Sequence, residues 1–86
     1  MLLPRDCTQR LHRHPVDEIY VVVRGKVTFR SDEGTEIEAE PFDCMYAPSG
    51  VYHAARNIGE EHAWIIWFHA GLCKHEEFEF HPDETK

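Results

Sequence analysis

The chain has 86 residues, 42% of them hydrophobic and 29% charged, with a net charge of −7 at pH 7. That length predicts one small domain over 1–86, with its core in about 9–69 and a tail from 70. The negative charge argues against nucleic acid and against an anionic membrane surface as partners, and no apolar run reaches the ~18 residues of a membrane span.

Residues before Gln9 leave room for one short edge strand. Gln9 to His14 reads as a strand, and Glu18 to Arg24, with Ile19, Val21, Val22 and Val23, reads as the next. Gly25 is a turn. Lys26 to Arg30 alternates polar and apolar, Ser31 to Gly34 is a hairpin loop, and Thr35 to Ala39 returns with Ile37 inward. Glu40 to Asp43 bends at Pro41, and Cys44 to Ala47 is a short apolar strand. Pro48 and Gly50 make a tight turn ahead of a strand at His53 to Arg56. His62 to His69 is the most apolar strand. It has two faces, Trp64, Ile66 and Phe68 on one and Ile65, Trp67 and His69 on the other, and its sequence does not say which faces inward. Glu76 to Phe80 alternates and reads as a last edge strand. Many short strands separated by turn signals, without a helical period, predict a sandwich or barrel.

Cys7, Cys44 and Cys73 are odd in number and widely spaced, which fits reduced thiols in a cytoplasmic protein. A chain this short buries only about 60% of its unfolded surface, so a homodimer is expected, which would also cover an open sheet edge.

Chemistry concentrates in two stretches. In HRHPVDEIYVVVRG, His12, His14, Glu18 and Tyr20 occupy even positions, and even spacing along strands puts side chains on one face. PSGVYHAARN supplies His53. Three imidazoles and a carboxylate suit one divalent transition metal that keeps open positions, with Fe, Mn, Ni, Zn and Cu all compatible. Tyr20 reads either as a core aromatic with a satisfied hydroxyl or as a catalytic base or substrate hydrogen bond beside the metal. Tyr52 falls on the opposite face from His53 and reads as packing. His62, His69, His75 and His81 have no companions at ligand spacing, Cys73-x-His75 reads as solvated tail, and Arg24, Arg30 and Arg56 read as solvated surface.

These residues carry a family resemblance. His12, His14, Glu18 and Gly25 resemble the first cupin motif, G-x5-H-x-H-x3-E-x6-G, and Pro48, Gly50, His53 and Asn57 resemble the second, G-x5-P-x-G-x2-H-x3-N. The leading glycine of each motif falls here at Asp6 and at Phe42, both turn positions rather than ligands. The resemblance covers about Arg10 to Phe68. It implies an all-β, double-stranded β-helix (jelly-roll) fold, a metal held by His12, His14, Glu18 and His53, and Asn57 closing a turn. The E-I-Y sequence at Glu18 to Tyr20 is similar to that of the dimethylsulfoniopropionate lyases, in which a tyrosine at this offset is held to act as the base.

Two functions of different class follow. One is a metal-dependent enzyme, of dioxygenase, isomerase or lyase type, acting on a small carboxylate, carbonyl or sugar-like substrate. The other is a non-catalytic module that binds or senses a small molecule or the metal itself.

Overall fold

The alternation in Glu18–Arg24 sets the central strand of the molecule: Glu18, Tyr20 and Val22 are buried while Ile19 and Val23 are exposed. The computed structural model describes residues 1–72 and 75–82. Among them the strands are β1 (Leu2–Leu3), β2 (His12–Arg13), β3 (Glu18–Arg24), β4 (Val27–Ser31), β5 (Glu36–Ala39), β6 (Cys44–Ala47), β7 (His53–Asn57), β8 (Ala63–His69) and β9 (Glu79–Phe80). They form two antiparallel sheets, ordered β1-β8-β3-β6 and β5-β4-β7-β2-β9. This is the expected all-β architecture, with a single 3-10 turn at His75–Glu77 among the described residues.

The inner faces of both sheets meet in one core. Leu3, Tyr20, Val22, Ala47, Ala63 and Ile65 come from the first sheet, and Val27, Phe29, Ala39 and Ala55 from the second. Val22, Val27 and Ile65 are the largest fully buried side chains, each stabilising the fold by about 1.5–3 kcal/mol relative to exposure. Period-2 alternation thus resolves β8: Ile65 faces the core, whereas Trp64, Ile66 and Phe68 stand on the outer face, each about half exposed.

Gly25 turns β3 into β4 with φ +94°, and a Cβ there would meet the Cα and Cβ of Ala63 at 2.9 Å. Both the dihedral and the close approach require glycine. Asp6 and Phe42, where the motifs would place glycine, adopt φ of 65° and 75°. The left-handed turns are therefore retained without the residue that makes them inexpensive. At the β4–β5 hairpin, Ser31 N donates to Thr35 O at 2.9 Å and Gly34 takes φ +85°.

Several expectations are corrected. The strand expected over Gln9 to His14 shrinks to His12–Arg13, because Gln9 leaves the ladder and bonds Ala55 through its own amide N and its side-chain oxygen instead. Ile37 does sit opposite Phe29, yet it is 52% exposed, because β5 is an edge strand and nothing closes over it. Arg30 is half-buried and donates to Gln9 O at 2.7 Å, unlike Arg24 and Arg56, which are exposed beside Glu61 and Glu36. The tail strand keeps only Glu79–Phe80, paired with β2, since the residues before it form the 3-10 turn. Asn57 closes its turn as expected, with Oδ1 accepting from Gly59 N and Nδ2 donating to Leu3 O and Glu61 O. Cys7 and Cys44 are free thiols, while Cys73 lies outside the described residues.

Candidate metal centre

The loop from His14 to Glu18 ties the site together. Gly50 N donates to His14 O at 2.9 Å, Ser49 N to Asp17 Oδ1 at 2.7 Å, and Ala70 N to Asp17 O at 2.9 Å. The Pro48–Gly50 turn and the end of β8 are thereby anchored to the same short segment that carries His14 and Glu18. Antiparallel pairing of β2 with β7 sets His12 directly opposite His53.

The four residues singled out by spacing converge. His12, His14, Glu18 and His53 are all buried, and one ligand atom from each lies within 4.8 Å of the others. Each imidazole is oriented by its own neighbourhood: Nδ1 of His12 lies 2.8 Å from Arg10 O, that of His14 2.8 Å from Val16 O, and that of His53 2.9 Å from Val51 O. A carbonyl oxygen only accepts, so Nδ1 carries the hydrogen in all three rings, and a neutral ring is left with a bare Nε2. Those of His14 and His53 point at Glu18 Oε1, at 3.2 and 3.0 Å. Bare nitrogen against carboxylate oxygen is acceptor against acceptor. The arrangement is stable only with protons on the rings or a cation among the four groups. Backbone anchoring of the second ring nitrogen is also the usual support of metal-bound histidine.

Burial by itself would raise the Glu18 pKa, but with protons on the His53 and His14 rings the hydrogen bonds from His53, Tyr20 and His14 outweigh it and hold the carboxyl at about 2. Burial also lowers His12, favouring the neutral, ligating ring. Tyr20, 2% exposed, donates its hydroxyl to Glu18, and burial together with that carboxylate pushes its pKa up. Tyr20 thus has the satisfied hydroxyl of a core aromatic and also borders the centre.

Two residues at the site escape spacing arguments. His69 Nε2 lies 2.7 Å from Glu18 Oε2, because the β3–β8 register sets these residues opposite each other. Phe78, carried inward after the 3-10 turn, stacks on His12 at 6.0 Å and tilts against His14 at 4.9 Å. Neither belongs to a local motif. The only sequence signal for His69 was its place on the face of Ile65 and Trp67. Of the other histidines, His62 is exposed and His81 packs edge-on against Tyr52 at 4.7 Å, with the Arg13 guanidinium over the same Tyr52 ring at 4.7 Å.

A cavity of about 250 Å³ opens against the cluster, lined by His12, Glu18, Tyr20, Trp67, His69 and Phe78 among others. A smaller apolar one of about 100 Å³, bounded by Phe29, Ile37, Met45 and Val51, shares the Tyr20 wall and reaches His53. A larger concavity of about 660 Å³, at Arg5, Asp6, Arg24, Glu60, Glu61 and His62, is charged and exposed, brings no buried groups together, and lies away from this chemistry. No helix among the described residues is long and apolar enough to cross a membrane.

Comparison with known proteins agrees with this fold. The family model described as Cupin domain matches residues 1–69. Among solved structures, TT1209 from Thermus thermophilus is 28% identical with a TM-score of 0.70, over 77% of this chain and 63% of that one. A DMSP lyase from Ruegeria pomeroyi is 25% identical with a TM-score of 0.70, over 83% of this chain and 36% of that one. A double-stranded β-helix protein from Klebsiella pneumoniae is 20% identical with a TM-score of 0.78, over 92% and 68%. The chain thus spans under two thirds of the length of the first two structures. No curated protein matches it.

Proposed function

The chain belongs to the cupin domain family, and from that premise we propose that it is a metal-dependent enzyme acting on a small carboxylate, carbonyl or sugar-like substrate. The observation that carries this reading is the set of bare Nε2 atoms turned onto Glu18 Oε1. His12, His14, Glu18 and His53 would hold one divalent transition ion, which fits a donor set of three neutral imidazoles and one carboxylate. When bound, such an ion supplies Lewis-acid polarisation of a chelating oxygen.

The protein's own groups do the rest. Trp67 and Phe78 give the cavity its aromatic lining. Tyr20 keeps its proton in this environment and donates it in a hydrogen bond to Glu18, so it serves not as a base but as a group that orients that carboxylate beside the cavity. The likeness to the DMSP lyase supports lyase chemistry as one member of the proposed class. The same retained proton also favours a second reading, a module that binds a small molecule without turning it over.

The test is elemental analysis of protein purified without chelator or affinity metal, beside His12→Ala, followed by oxygen-uptake, isomerase and lyase screens on the loaded protein. Stoichiometric metal lost in His12→Ala, with turnover in one screen, supports the enzyme. Metal with ligand binding but no turnover gives the module. A wild-type protein that refuses every metal removes the enzyme and leaves the small-molecule module.

A homodimer is part of the same proposal. Ile19, Val23, Tyr46, Trp64, Ile66 and Phe68 are each 42–56% exposed on strands of the β1-β8-β3-β6 sheet. Three half-exposed aromatics and their aliphatic neighbours offer roughly 500 Å² of apolar surface, most of the ~800 Å² that one partner contributes to a standard interface. A second copy presenting the same uncharged side chains covers this face without bringing the net negative charges of two chains into contact.

A further inference from the structure

His69 presents Nε2 to Glu18, as His14 and His53 do, but meets the other carboxylate oxygen. Its Nε2 lies 2.7 Å from Glu18 Oε2, and a carboxylate oxygen can only accept, so His69 carries its hydrogen on Nε2 and donates it. His12, His14 and His53 carry theirs on Nδ1 and offer a bare Nε2. The two Glu18 oxygens are therefore divided: Oε1 faces His14 and His53, and Oε2 is occupied by His69.

The His69 ring is well held for that task. It packs on Trp67 at 4.8 Å and on His14 at 4.8 Å, and the bond from Ala70 N to Asp17 O pins the strand end beside it. Its side chain is only 15% exposed. The in-register pairing of Glu18 with His69 makes the contact a property of the sheet and not of a mobile loop.

We propose that His69 is a positioning residue for the Glu18 carboxylate. By occupying Oε2 it restricts Glu18 to ligation through Oε1 alone, which keeps the cavity side of the centre open to a small oxygen ligand. Without His69 the carboxylate keeps only the Tyr20 hydroxyl as a neutral donor, and Oε2 can turn towards an ion and take up one of the open positions. The proposal rests on the metal-centre reading above.

The test uses Co(II) as the probe, with affinity measured by competition against a chelator and coordination followed by visible absorption. His69→Leu keeps apolar volume but removes the donor, whereas His69→Gln can return an N–H to the same oxygen. His69→Leu is expected to weaken Co(II) binding about 10–100-fold and to alter the band intensities, with His69→Gln restoring most of both. Should His69→Leu not fold, His69→Asn, whose shorter amide falls short of Oε2, reads the same contrast. Unchanged affinity and bands in a folded His69→Leu overturn the proposal. So does an equal loss in the Leu and Gln variants, which would mark packing and not the donated hydrogen bond. Unsubstituted protein that takes up no Co(II) overturns the metal-centre reading and His69's role with it, an outcome visible before any variant is made.

Discussion

His53 and Glu18 stand thirty-five residues apart in the chain, yet Nε2 of one approaches Oε1 of the other to 3.0 Å in a buried setting. With His53 Nδ1 committed to Val51 O, that contact asks for a proton on the ring or a cation between the two groups. It is the point at which the two separated motifs become one site.

Metal binding should therefore stabilise the fold. At a free metal concentration of 100 times Kd the gain is about 2.7 kcal/mol, which in a domain this size raises Tm by roughly 10–20 °C. Thermal melts with and without added Co(II) or Mn(II) check this. His53→Ala should abolish the shift, and an equal shift in that variant would place the metal elsewhere.

Acid should expose the Glu18 hydrogen bonds in metal-free protein. The folded pKa of about 2 lies below the ordinary 4.5, so the stabilisation is complete above pH 4.5 and is lost as pH falls through about 2. Urea midpoints of the wild type and Glu18→Gln should differ by an amount on the order of 3 kcal/mol near pH 5, closing towards pH 2. A gap of constant width across that window would locate its source in something other than the carboxylate.

Tyr20→Phe should spare the metal and reduce turnover. The lost hydroxyl bonds a charged partner, so stability falls by about 1.5–3 kcal/mol, while loss of the bond that orients Glu18 costs roughly 10–100-fold in activity. Metal content and kcat measured on one preparation separate the two. Full turnover with the metal retained would confine Tyr20 to the core.

Phe42→Gly should stabilise the protein. Phe42 takes φ 75° while 83% exposed, so it carries left-handed strain without compensating burial. Relief of about 1–2 kcal/mol is offset in part by the flexibility glycine adds to the unfolded chain, leaving a net gain of roughly 0.5–1 kcal/mol. A lower denaturation midpoint in this variant would show that Phe42 is covered by contacts in solution.

Phe68→Asp should leave the fold intact and yield a monomer. Phe68 is 56% exposed on the outer face, so its loss empties no core, but a charge there would be buried in a dimer. Sedimentation at micromolar concentration checks this, and a wild-type monomer would remove the dimer at once.

The strand alternation and the two motifs were legible in the sequence because both are local. A period of two puts Glu18 and Tyr20 on one face wherever β3 lies, and the Pro48–Gly50 turn that leads into His53 is closed locally by Val51 N donating to Pro48 O. What the sequence could not supply was anything set by pairing between distant strands. His69 joined the site because the β3–β8 register set it opposite Glu18, and Ile37 stayed exposed because β5 became an edge. Phe78 reached the histidines only through a 3-10 turn that interrupts an alternating pattern. Likewise β8 offered two apolar faces of similar composition, and the choice between them fell to the opposite sheet, whose Val27, Phe29 and Ala55 met Ile65 and left Trp64, Ile66 and Phe68 outside. Alternation is a property of one strand's covalent geometry, whereas inward and outward, partner and edge, exist only once two sheets have closed on each other.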